Sequence, residues 1–271
     1  MKPHFLFPAS PLNGRMIDES FQDQAVALKM AGFGTSVLTD DMKIIGPVPQ
    51  DATVIYRGWM MDTDGYQDYL AKLNARPLTP LTSLEQYLAT HHLPNWYPLI
   101  ERMTPETRFM GGLEFYDGIP VQAICAEINA IGFQRIFVKD FVKSLKTKER
   151  PDLDCPIKAE DLRRVIEAMI KYRGKIEGGL AVREFEDFKP DSEKRYFVIN
   201  GRFYGQEVLF DTRVMELLIR VAGRIPSPFY SVDIAERTDG HFRVVELGDG
   251  QVSDLIGWTA GRFAQVWKEA L

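Results

Sequence analysis

The first quarter of the chain alternates short apolar runs with amphipathic stretches. His4 to Phe7 predicts a short buried strand, and the periodicity that follows predicts a helix from about Asp18 to Ala31 that stops at Gly32. Two further apolar runs, Thr35 to Thr39 and Ala52 to Tyr56, predict strands. A strand-helix-strand beginning of this kind is typical of α/β domains.

The middle of the chain predicts helices packed on a sheet. A Pro-rich stretch from Pro77 to Pro105, with one helix near Leu84 to Thr90, predicts the passage between an N-terminal subdomain and the rest. Pro120 opens a predicted helix that ends before Gly132, and a strand from Arg135 to Lys139 follows. A second amphipathic helix is predicted by an apolar stripe at helical spacing, Leu162, Val165, Ile166, Met169 and Ile170.

Beyond Gly178 the helical periodicity stops, and we expect two hairpins separated by one helix at about Thr212 to Ala222. The first hairpin has Asn200-Gly201 as a two-residue turn, which opposes Phe197 to Tyr204 and Lys194 to Glu207. Arg195 shares a largely apolar face of this hairpin, so it needs an anionic partner. Either a structural carboxylate or a bound phosphate meets that need.

The second hairpin carries Asp239-Gly240, the strongest short-range cue for a two-residue turn. Such a turn sets Asp233 opposite Glu246 and Glu236 opposite Arg243. The Cβ atoms of the two opposed carboxylates would lie about 5 Å apart and repel each other unless a cation compensates them.

This carboxylate pair predicts a metal site. Asp249 lies between Gly248 and Gly250, whose freedom would let it curl back as a third oxygen ligand. Hard carboxylate oxygens without His or Cys suit Mg²⁺ or Mn²⁺. The alternative is that Asp233 or Glu246 points into solvent or pairs with an arginine; we favour the metal.

Composition and charge narrow the class of protein. The chain has 271 residues, 45% of them hydrophobic, which is typical of a globular protein. A net charge of −5 with interspersed signs predicts no nucleic-acid partner. The two cysteines, Cys125 and Cys155, lack CxxC spacing, so neither a disulfide framework nor a zinc cluster is indicated. Without a secretory leader or an apolar stretch of about 18 residues, we expect a cytoplasmic protein with no membrane partner.

Glycine-rich nucleotide motifs are not indicated. Gly32-Phe33-Gly34 lies before a strand, whereas a dinucleotide fingerprint needs glycines after a strand and at the opening of a helix. We therefore interpret it as a helix stop. The sequence has no P-loop motif.

The order of these features resembles the ATP-grasp superfamily. The similarity covers about residues 95 to 271, and it is strongest to the small, often phage-associated clade named for two arginines and a lysine. The resemblance implies an α/β protein of the α+β ATP-grasp type. Its parts would be a Rossmann-like subdomain over residues 1–90 and two α+β lobes, 91–180 and 181–271, that hold ATP between them.

The resemblance also implies nucleotide-binding residues. Lys139, at the end of Ile136-Phe137-Val138-Lys139, would contact the α- and β-phosphates. The adenine linker resembles Val182-Arg183-Glu184-Phe185, and Glu193-Lys194-Arg195 is similar to the acidic-x-Arg of ribosomal-protein glutamate ligases. Lys143 and Lys146 lie where the family often has a Gly-rich phosphate loop, and they would either replace its backbone amides or form a solvated basic turn.

For the metal and the substrate, the resemblance points to a second set of residues. In D-alanine ligases an Asp and a Glu thirteen residues apart hold magnesium, the separation of Asp233 and Glu246. The Asn that follows in those enzymes is Gly248 here, so Asp249 would replace it one step later. Arg57 and Arg195 would be the clade's two arginines, with Arg57 holding a substrate carboxylate.

The implied activity is that of an ATP- and Mg²⁺-dependent ligase. A small-molecule or peptide carboxylate would be phosphorylated by ATP, and an amine or thiol acceptor would then displace phosphate, leaving ADP. Two alternatives are a phosphotransferase on the same fold and a nucleotide-binding module without catalysis. Adenylation of Lys139 is less favoured because the KxDG order of such enzymes does not occur at Val138-Lys139-Asp140.

Overall fold

The computed structural model of the protein describes residues 2–111, 120–142, 152–209 and 211–271. Within these ranges no helix is long and apolar enough to cross a membrane. The strands are β1 His4–Ser10, β2 Asn13–Ile17, β3 Gly34–Leu38, β4 Ile44–Ile45, β5 Thr53–Tyr56, β6 Thr79–Pro80, β7 Thr107–Gly111, β8 Arg135–Asp140, β9 Asp152–Asp154, β10 Gly179–Glu184, β11 Lys194–Ile199, β12 Arg202–Tyr204, β13 Phe229–Glu236 and β14 Phe242–Asp249. The helices are α1 Gln22–Met30, α2 Thr63–Asn74, α3 Leu84–His91, α4 Leu93–Ile100, α5 Val121–Ile131, α6 Ala159–Arg173, α7 Thr212–Ala222 and α8 Ala260–Glu269.

The chain forms two compact units. The first unit comprises Met1–His91, Glu193–Ile234 and Glu246–Leu271, and the second comprises His92–Ser192 and Ala235–Val245. The division therefore does not follow chain order, because the C-terminal residues return to the unit that the N-terminal residues begin. The three consecutive segments 1–90, 91–180 and 181–271 remain a prediction about lobes.

The first unit contains a sheet of order β4-β3-β1-β5-β6, with β2 paired to β1. The pairs β1-β3, β1-β5 and β5-β6 are parallel. Central β1 is buried on both faces, which explains its continuous apolar run. Phe5 and Phe7 pack with α1, whereas Leu6 packs with Tyr66 and Tyr69 of α2. This is the parallel α/β arrangement predicted for the N-terminal residues.

A second sheet in the first unit has the order β12-β11-β13-β14. Its buried residues Phe197 and Phe229 share one core with Phe5 and with Trp267 of α8. The phenyl ring of Phe5 meets the indole of Trp267 edge to face, with ring centroids 5.4 Å apart. The two sheets of this unit are therefore joined by aromatic packing between residues far apart in sequence.

The second unit is built on an antiparallel sheet of order β7-β10-β8-β9. Side chains that point to one face, among them Ile136, Val138, Leu180 and Val182, pack against α5 and α6. Because side chains alternate along a strand, Lys139 and Arg183 belong to the opposite face. The amphipathic α5 and α6 thus cover one face of the sheet and leave the cations on the other.

The two predicted hairpins differ in outcome. In β11-β12 the register pairs Phe197 with Tyr204, as predicted, and the ammonium of Lys194 lies 3.4 Å from the carboxylate of Glu207. Asn200 and Gly201 have positive φ angles of 50° and 76°, which a two-residue type I′ turn requires. The prediction for this hairpin is confirmed.

In β13-β14 the predicted two-residue turn is wrong. The Gly240 N–H donates to the Arg237 carbonyl, and the Arg237 N–H donates to the His241 carbonyl, so three residues form the loop. Gly240 has φ +88°, as the last residue of such loops does. The predicted ion pair also fails, because Glu236 bonds Lys189 at 2.7 Å whereas the Arg243 guanidinium bonds Glu186 at 2.9 Å.

The three-residue loop shifts the register of the hairpin by one residue, and this shift is reversed further along β14. The Gly250 N–H donates to the Phe229 carbonyl at 3.1 Å, which agrees with the predicted register. One extra residue must therefore lie in β14, and the spacing of its buried residues Val244, Leu247 and Asp249 places it between Val244 and Leu247. Asp233 therefore lies across from the part of β14 that contains both the extra residue and Glu246.

The expectation of only hairpins and one helix beyond Gly178 is wrong at the end of the chain. Helix α8 spans Ala260–Glu269 and buries Phe263, Ala264, Val266 and Trp267. These positions have the i, i+3, i+4 spacing of an amphipathic helix, so the signal was present in the sequence. Helices α2 and α4 were likewise not predicted.

Candidate functional site

Lys139 lies near the end of β8 and is 1% exposed. It pairs across the ladder with Ala181 of β10, on the sheet face away from α5 and α6. The next residue, Asp140, fixes the end of the strand: its carboxylate accepts hydrogen bonds from the N–H of Val142 at 2.9 Å and of Glu177 at 3.4 Å. The ammonium of Lys139 is thus carried by a rigid strand end.

Arg183 of β10 shares the sheet face of Lys139. Register places it diagonally from Lys139, since Arg183 pairs with Phe137. Its guanidinium donates to the Val245 carbonyl and to the Thr104 hydroxyl, both at 2.6 Å. Arg183 therefore contributes positive charge to this face and also ties β10 to the end of the β13-β14 hairpin.

The rest of the predicted adenine linker is paired within the second unit. Val182 is fully buried on the helix-covered face. The N–H of Glu184 donates to the Glu106 carbonyl at 2.8 Å, and that of Phe185 donates to the Arg135 carbonyl at 2.9 Å. The guanidinium carbon of Arg135 lies 3.9 Å from the centroid of the Phe185 ring. The side chain of Glu184 is exposed, and that of Phe185 is partly buried.

Arg195 and Asp233, predicted for different roles, contact each other. Arg195 Nε lies 2.7 Å from Asp233 Oδ1 and Nη2 lies 2.6 Å from Oδ2, a two-pronged ion pair. Strands β11 and β13 place the two residues directly opposite each other. The side chains are only 11% and 6% exposed. The anionic partner that Arg195 needs is thus a structural carboxylate.

Further negative charge surrounds this pair. Burial lowers the pKa of Arg195, but the hydrogen bonds and charge of Asp233 outweigh it, and Glu246 and Asp254 add to the effect, so the net shift is upward. Arg195 is therefore a cation that interacts with both Asp233 and Glu246. The sequence did not indicate Asp254, whose carbonyl accepts from Arg195 Nη1 at 2.9 Å.

Asp249 is completely buried at the end of β14. Its Oδ1 accepts hydrogen bonds from the backbone N–H of Gln251 at 2.9 Å and from the Gln251 side-chain amide at 3.1 Å. Burial raises the pKa of Asp249 to about 7. The flanking glycines serve close packing rather than backbone freedom: a Cβ on Gly250 would lie 2.5 Å from the Phe229 ring. These contacts do not support Asp249 as the third metal ligand.

Arg57 follows β5 and is 1% exposed. Its Nη1 donates to the carbonyls of Gly250 and Ser253, and its Nε and Nη2 donate to Gln24 Oε1. Burial lowers the pKa of Arg57 to about 10, against a smaller opposite effect of the Asp254 charge. This geometry does not support the predicted contact between Arg57 and a substrate carboxylate.

The remaining predicted residues divide by position. Lys143 and Lys146 lie outside the described residues. Glu193 is exposed and directly precedes β11. The structure therefore gathers Arg195, Asp233, Glu246 and Asp249 in the first unit, and Lys139, Arg183 and Glu184 in the second.

Comparison of the sequence with known protein families identifies the family of this chain. Residues 127–269, more than half of the chain, match the family described as ATP-grasp domain, R2K clade family 3. The chain belongs to this family. No curated protein matches the sequence of this ATP-grasp protein at a significant level.

Solved structures share the fold of this ATP-grasp protein over its whole length. D-cycloserine synthetase DcsG matches with a TM-score of 0.65 at 14% identity, covering 99% of this chain and 100% of that one. A RimK domain ATP-grasp protein from Sphaerobacter thermophilus matches with a TM-score of 0.61 at 16% identity, covering 97% and 98%. The ATP-grasp ligase PsnB, complexed with a phosphomimetic minimal precursor, Mg and ADP, matches with a TM-score of 0.59 at 13% identity, covering 100% and 98%. At these identities the likeness shows the fold.

The donor set in the first unit of the ATP-grasp protein fits a hard divalent cation in part. Asp233 and Glu246 offer carboxylate oxygens, which Mg²⁺ prefers, and Glu246 is only partly buried. Both oxygens of Asp233 are engaged by Arg195, so a metal at Asp233 has to share that carboxylate with the guanidinium. Glu246 and Asp233 are thus the two candidate ligands that the chemistry favours.

Proposed function

We propose that this ATP-grasp protein is an ATP- and Mg²⁺-dependent ligase that joins a carboxylate to an amine or thiol and releases ADP and phosphate. The observation that carries the proposal is the position of Lys139. Lys139 is 1% exposed near the end of a strand, on the sheet face opposite the one that α5 and α6 cover, and Arg183 adds a second cation to the same face. Two cations held on one face of a sheet suit the phosphate groups of a nucleotide. Membership of the ATP-grasp family supports ATP as the source of that phosphate.

In the proposed reaction, a substrate carboxylate oxygen attacks the γ-phosphorus of ATP, and the bond between that phosphorus and the β,γ-bridging oxygen breaks to release ADP. The acceptor nitrogen or sulfur then attacks the acyl carbon, phosphate leaves, and the acceptor loses a proton to solvent. Lys139 and Arg183 supply fixed positive charge for the phosphates, and this electrostatic stabilisation is the main task of a protein in phosphoryl transfer.

A divalent cation fits this proposal at Asp233 and Glu246. When bound, Mg²⁺ would neutralise charge on the phosphate oxygens. Arg195 would keep the Asp233 carboxylate oriented through its two hydrogen bonds at 2.6 and 2.7 Å. The family resemblance also implied that Arg195 is a catalytic residue that balances the charge of the phosphates, and we keep Arg195 as a candidate for that role.

The substrate class follows from analogy. PsnB has been solved with a minimal precursor, and MdnC from Microcystis aeruginosa with precursor peptide MdnA, at identities of 12% and 10%. We therefore propose a peptide carboxylate as the first class to test, with small-molecule carboxylates second.

The first test is nucleotide binding. Lys139→Met keeps the volume of the buried chain and removes its charge, so the thermal shift given by Mg²⁺ and ADP should largely disappear. In the wild type that shift corresponds to about 2.7 kcal/mol at a ligand concentration of 100 Kd. Lys158→Ala, an exposed lysine of the same unit, is the matched control and should keep the shift. An undiminished shift in Lys139→Met would remove Lys139 from the nucleotide site.

The second test separates the ligase from its alternatives. Chromatography of the nucleotide products, with a panel of peptide carboxylates and amines, should show ADP whose formation requires both substrates. ADP formed without an amine or thiol indicates a phosphotransferase, and AMP with pyrophosphate indicates adenylation. Binding without any turnover favours a nucleotide-binding module.

A further inference from the structure

The buried guanidinium of Arg57 is bound by neutral oxygens. Nη1 lies 2.9 Å from the Ser253 carbonyl and also contacts the Gly250 carbonyl. On its other side, Gln24 Oε1 lies 3.2 Å from Nε and 2.8 Å from Nη2. The ring centroid of Phe263 lies 4.8 Å from the guanidinium carbon. Arg57 is thus oriented from α1 and directed at the backbone between Gly250 and Ser253.

That backbone forms a short loop directly after β14, the strand that carries the candidate metal ligand Glu246. We call residues 250–254 the clamp loop. The Gly58 N–H donates to the Gln251 carbonyl at 3.0 Å, and the Gln251 amide donates to the Tyr66 hydroxyl at 2.8 Å. At its far end, the Asp254 carbonyl accepts from Arg195 Nη1 at 2.9 Å. Two arginines therefore hold one loop, Arg57 at Gly250 and Ser253 and Arg195 at Asp254.

We propose that Arg57 is a positioning residue that locks the clamp loop through the Gly250 and Ser253 carbonyls and so fixes the C-terminal half of β14, in which Glu246 lies. Arg195 completes the lock at Asp254 and transmits it to Asp233 through their ion pair. The part that concerns metal and nucleotide rests on the proposed function, whereas the lock on the loop is a property of the protein alone.

The chemistry of arginine explains why this residue type stands at the position. A planar guanidinium presents five N–H groups in fixed directions, so one side chain can reach two loop carbonyls and Gln24 together. A lysine presents one nitrogen and cannot span these acceptors. A residue that only supplied positive charge to a substrate carboxylate would tolerate lysine better, and this difference makes the two roles separable.

The test is Arg57→Lys, with Arg220→Lys on the exposed face of α7 as the matched control. Hydrogen exchange is measured on the protein without nucleotide. In Arg57→Lys we expect the amides of Gly250 and Val252, which donate to Phe229 and Asp249, to exchange at least about tenfold faster. The β11-β12 hairpin of the same unit should keep its wild-type rate, and the control should match the wild type throughout.

The second readout is ADP affinity by calorimetry, with and without Mg²⁺. Loss of a residue that orients metal ligands typically lowers metal affinity about 10- to 100-fold. We expect a loss in this range for the magnesium-dependent part of ADP binding and little change without magnesium. A merely structural role would weaken both parts alike.

A second variant protects the test if Arg57→Lys does not fold. Gln24→Leu keeps the Arg57 charge but removes the acceptor that orients it, and should speed exchange in the clamp loop by a smaller factor. Wild-type exchange in the loop of every variant that folds, or acceleration spread evenly over the whole first unit, would overturn the proposal. If wild-type protein binds no ADP with magnesium, the proposed function fails, and the exchange measurement still decides the lock.

Discussion

The ion pair between Arg195 and Asp233 gives the sharpest test of the candidate site. Asp233→Asn keeps the size and shape of the side chain but removes its charge. Arg195 would then stay buried beside a neutral amide, with one of its two N–H groups facing the Asn nitrogen instead of an oxygen. We expect marked loss of stability, because an uncompensated buried charge costs more than the pair itself contributes.

The magnitude follows from burial and from the neighbouring charges. Breaking a buried pair by removing one partner typically costs about 3–5 kcal/mol. The exposed fractions of 11% and 6% place this pair in that class. Glu246 and Asp254 still offset part of the Arg195 charge, so the lower end applies. We expect Asp233→Asn to lower the free energy of unfolding by about 3 kcal/mol.

The assay is urea unfolding followed by tryptophan fluorescence. Trp258 reports on this part of the protein because its indole N–H donates to the Arg195 carbonyl at 2.9 Å. Asp68→Asn, an exposed carboxylate on α2, is the control and should change stability by less than about 0.5 kcal/mol.

A double variant separates the cost of an unpaired buried charge from the cost of lost packing. Replacing both partners, as Arg195→Met with Asp233→Leu, should cost less than Asp233→Asn alone because no charge is left buried. If Asp233→Asn unfolds within about 0.5 kcal/mol of wild type, the pair is not an energetic unit and the reasoning is refuted.

Three further predictions concern neighbouring positions. Burial raises the pKa of Asp249 to about 7, so the folded state favours the neutral acid, and the stability that this preference contributes is present at acid pH and lost as pH rises through 7. In urea unfolding, the wild type should lose free energy of unfolding relative to Asp249→Asn between about pH 5 and about pH 8. The same pH dependence in both proteins would contradict this. Glu246→Gln should lower the free energy of unfolding of the metal-free protein by about 0.5–1 kcal/mol, because the charge of Glu246 stabilises the charged form of Arg195. The same variant should weaken magnesium-dependent ADP binding in calorimetry, and unchanged magnesium dependence would exclude Glu246 as a metal ligand. Gly250→Ala should lower the thermal midpoint, because the added Cβ would collide with the Phe229 ring. Its control is Gly261→Ala in α8, where no heavy atom lies within 4 Å of the added Cβ. This control should raise the thermal midpoint by an amount equivalent to about 0.5–1 kcal/mol, because alanine favours the helix more than glycine does.

The sequence alone determined those strands, helices and turns whose stability depends mainly on their own residues. The Asn200-Gly201 turn fixed the β11-β12 register because two residues with positive φ leave the strands one way to pair. Apolar periodicity located β1, β8, α5 and α6, since one face of each must be buried. The resemblance to the ATP-grasp superfamily depended on the motifs around Lys139, Arg195 and Asp233 and on their order, and the family match of residues 127–269 confirms it.

The β13-β14 hairpin marks where local cues fail. Asp239-Gly240 is as strong a cue as Asn200-Gly201, yet Thr238 joins the loop and a bulge later restores the register. Strand β14 also makes contacts outside the hairpin, which the sequence does not reveal. Arg243, bound to Glu186 and to the carbonyls of Arg102 and Thr104, belongs to those contacts.

Only the tertiary structure decided what each charged residue does. The sequence indicated Arg195 because a charge on a largely apolar face needs a partner, and it indicated Asp233 because the predicted hairpin opposed it to Glu246. Asp249 was indicated by its flanking glycines, and Arg57 by the family resemblance. The sequence did not indicate that Arg195 and Asp233 are each other's partner, or that Arg57 reaches the carbonyls of Gly250 and Ser253. These partners lie tens to nearly two hundred residues apart in the chain, and burial, charge and hydrogen-bond geometry are properties of that assembled neighbourhood rather than of any local segment.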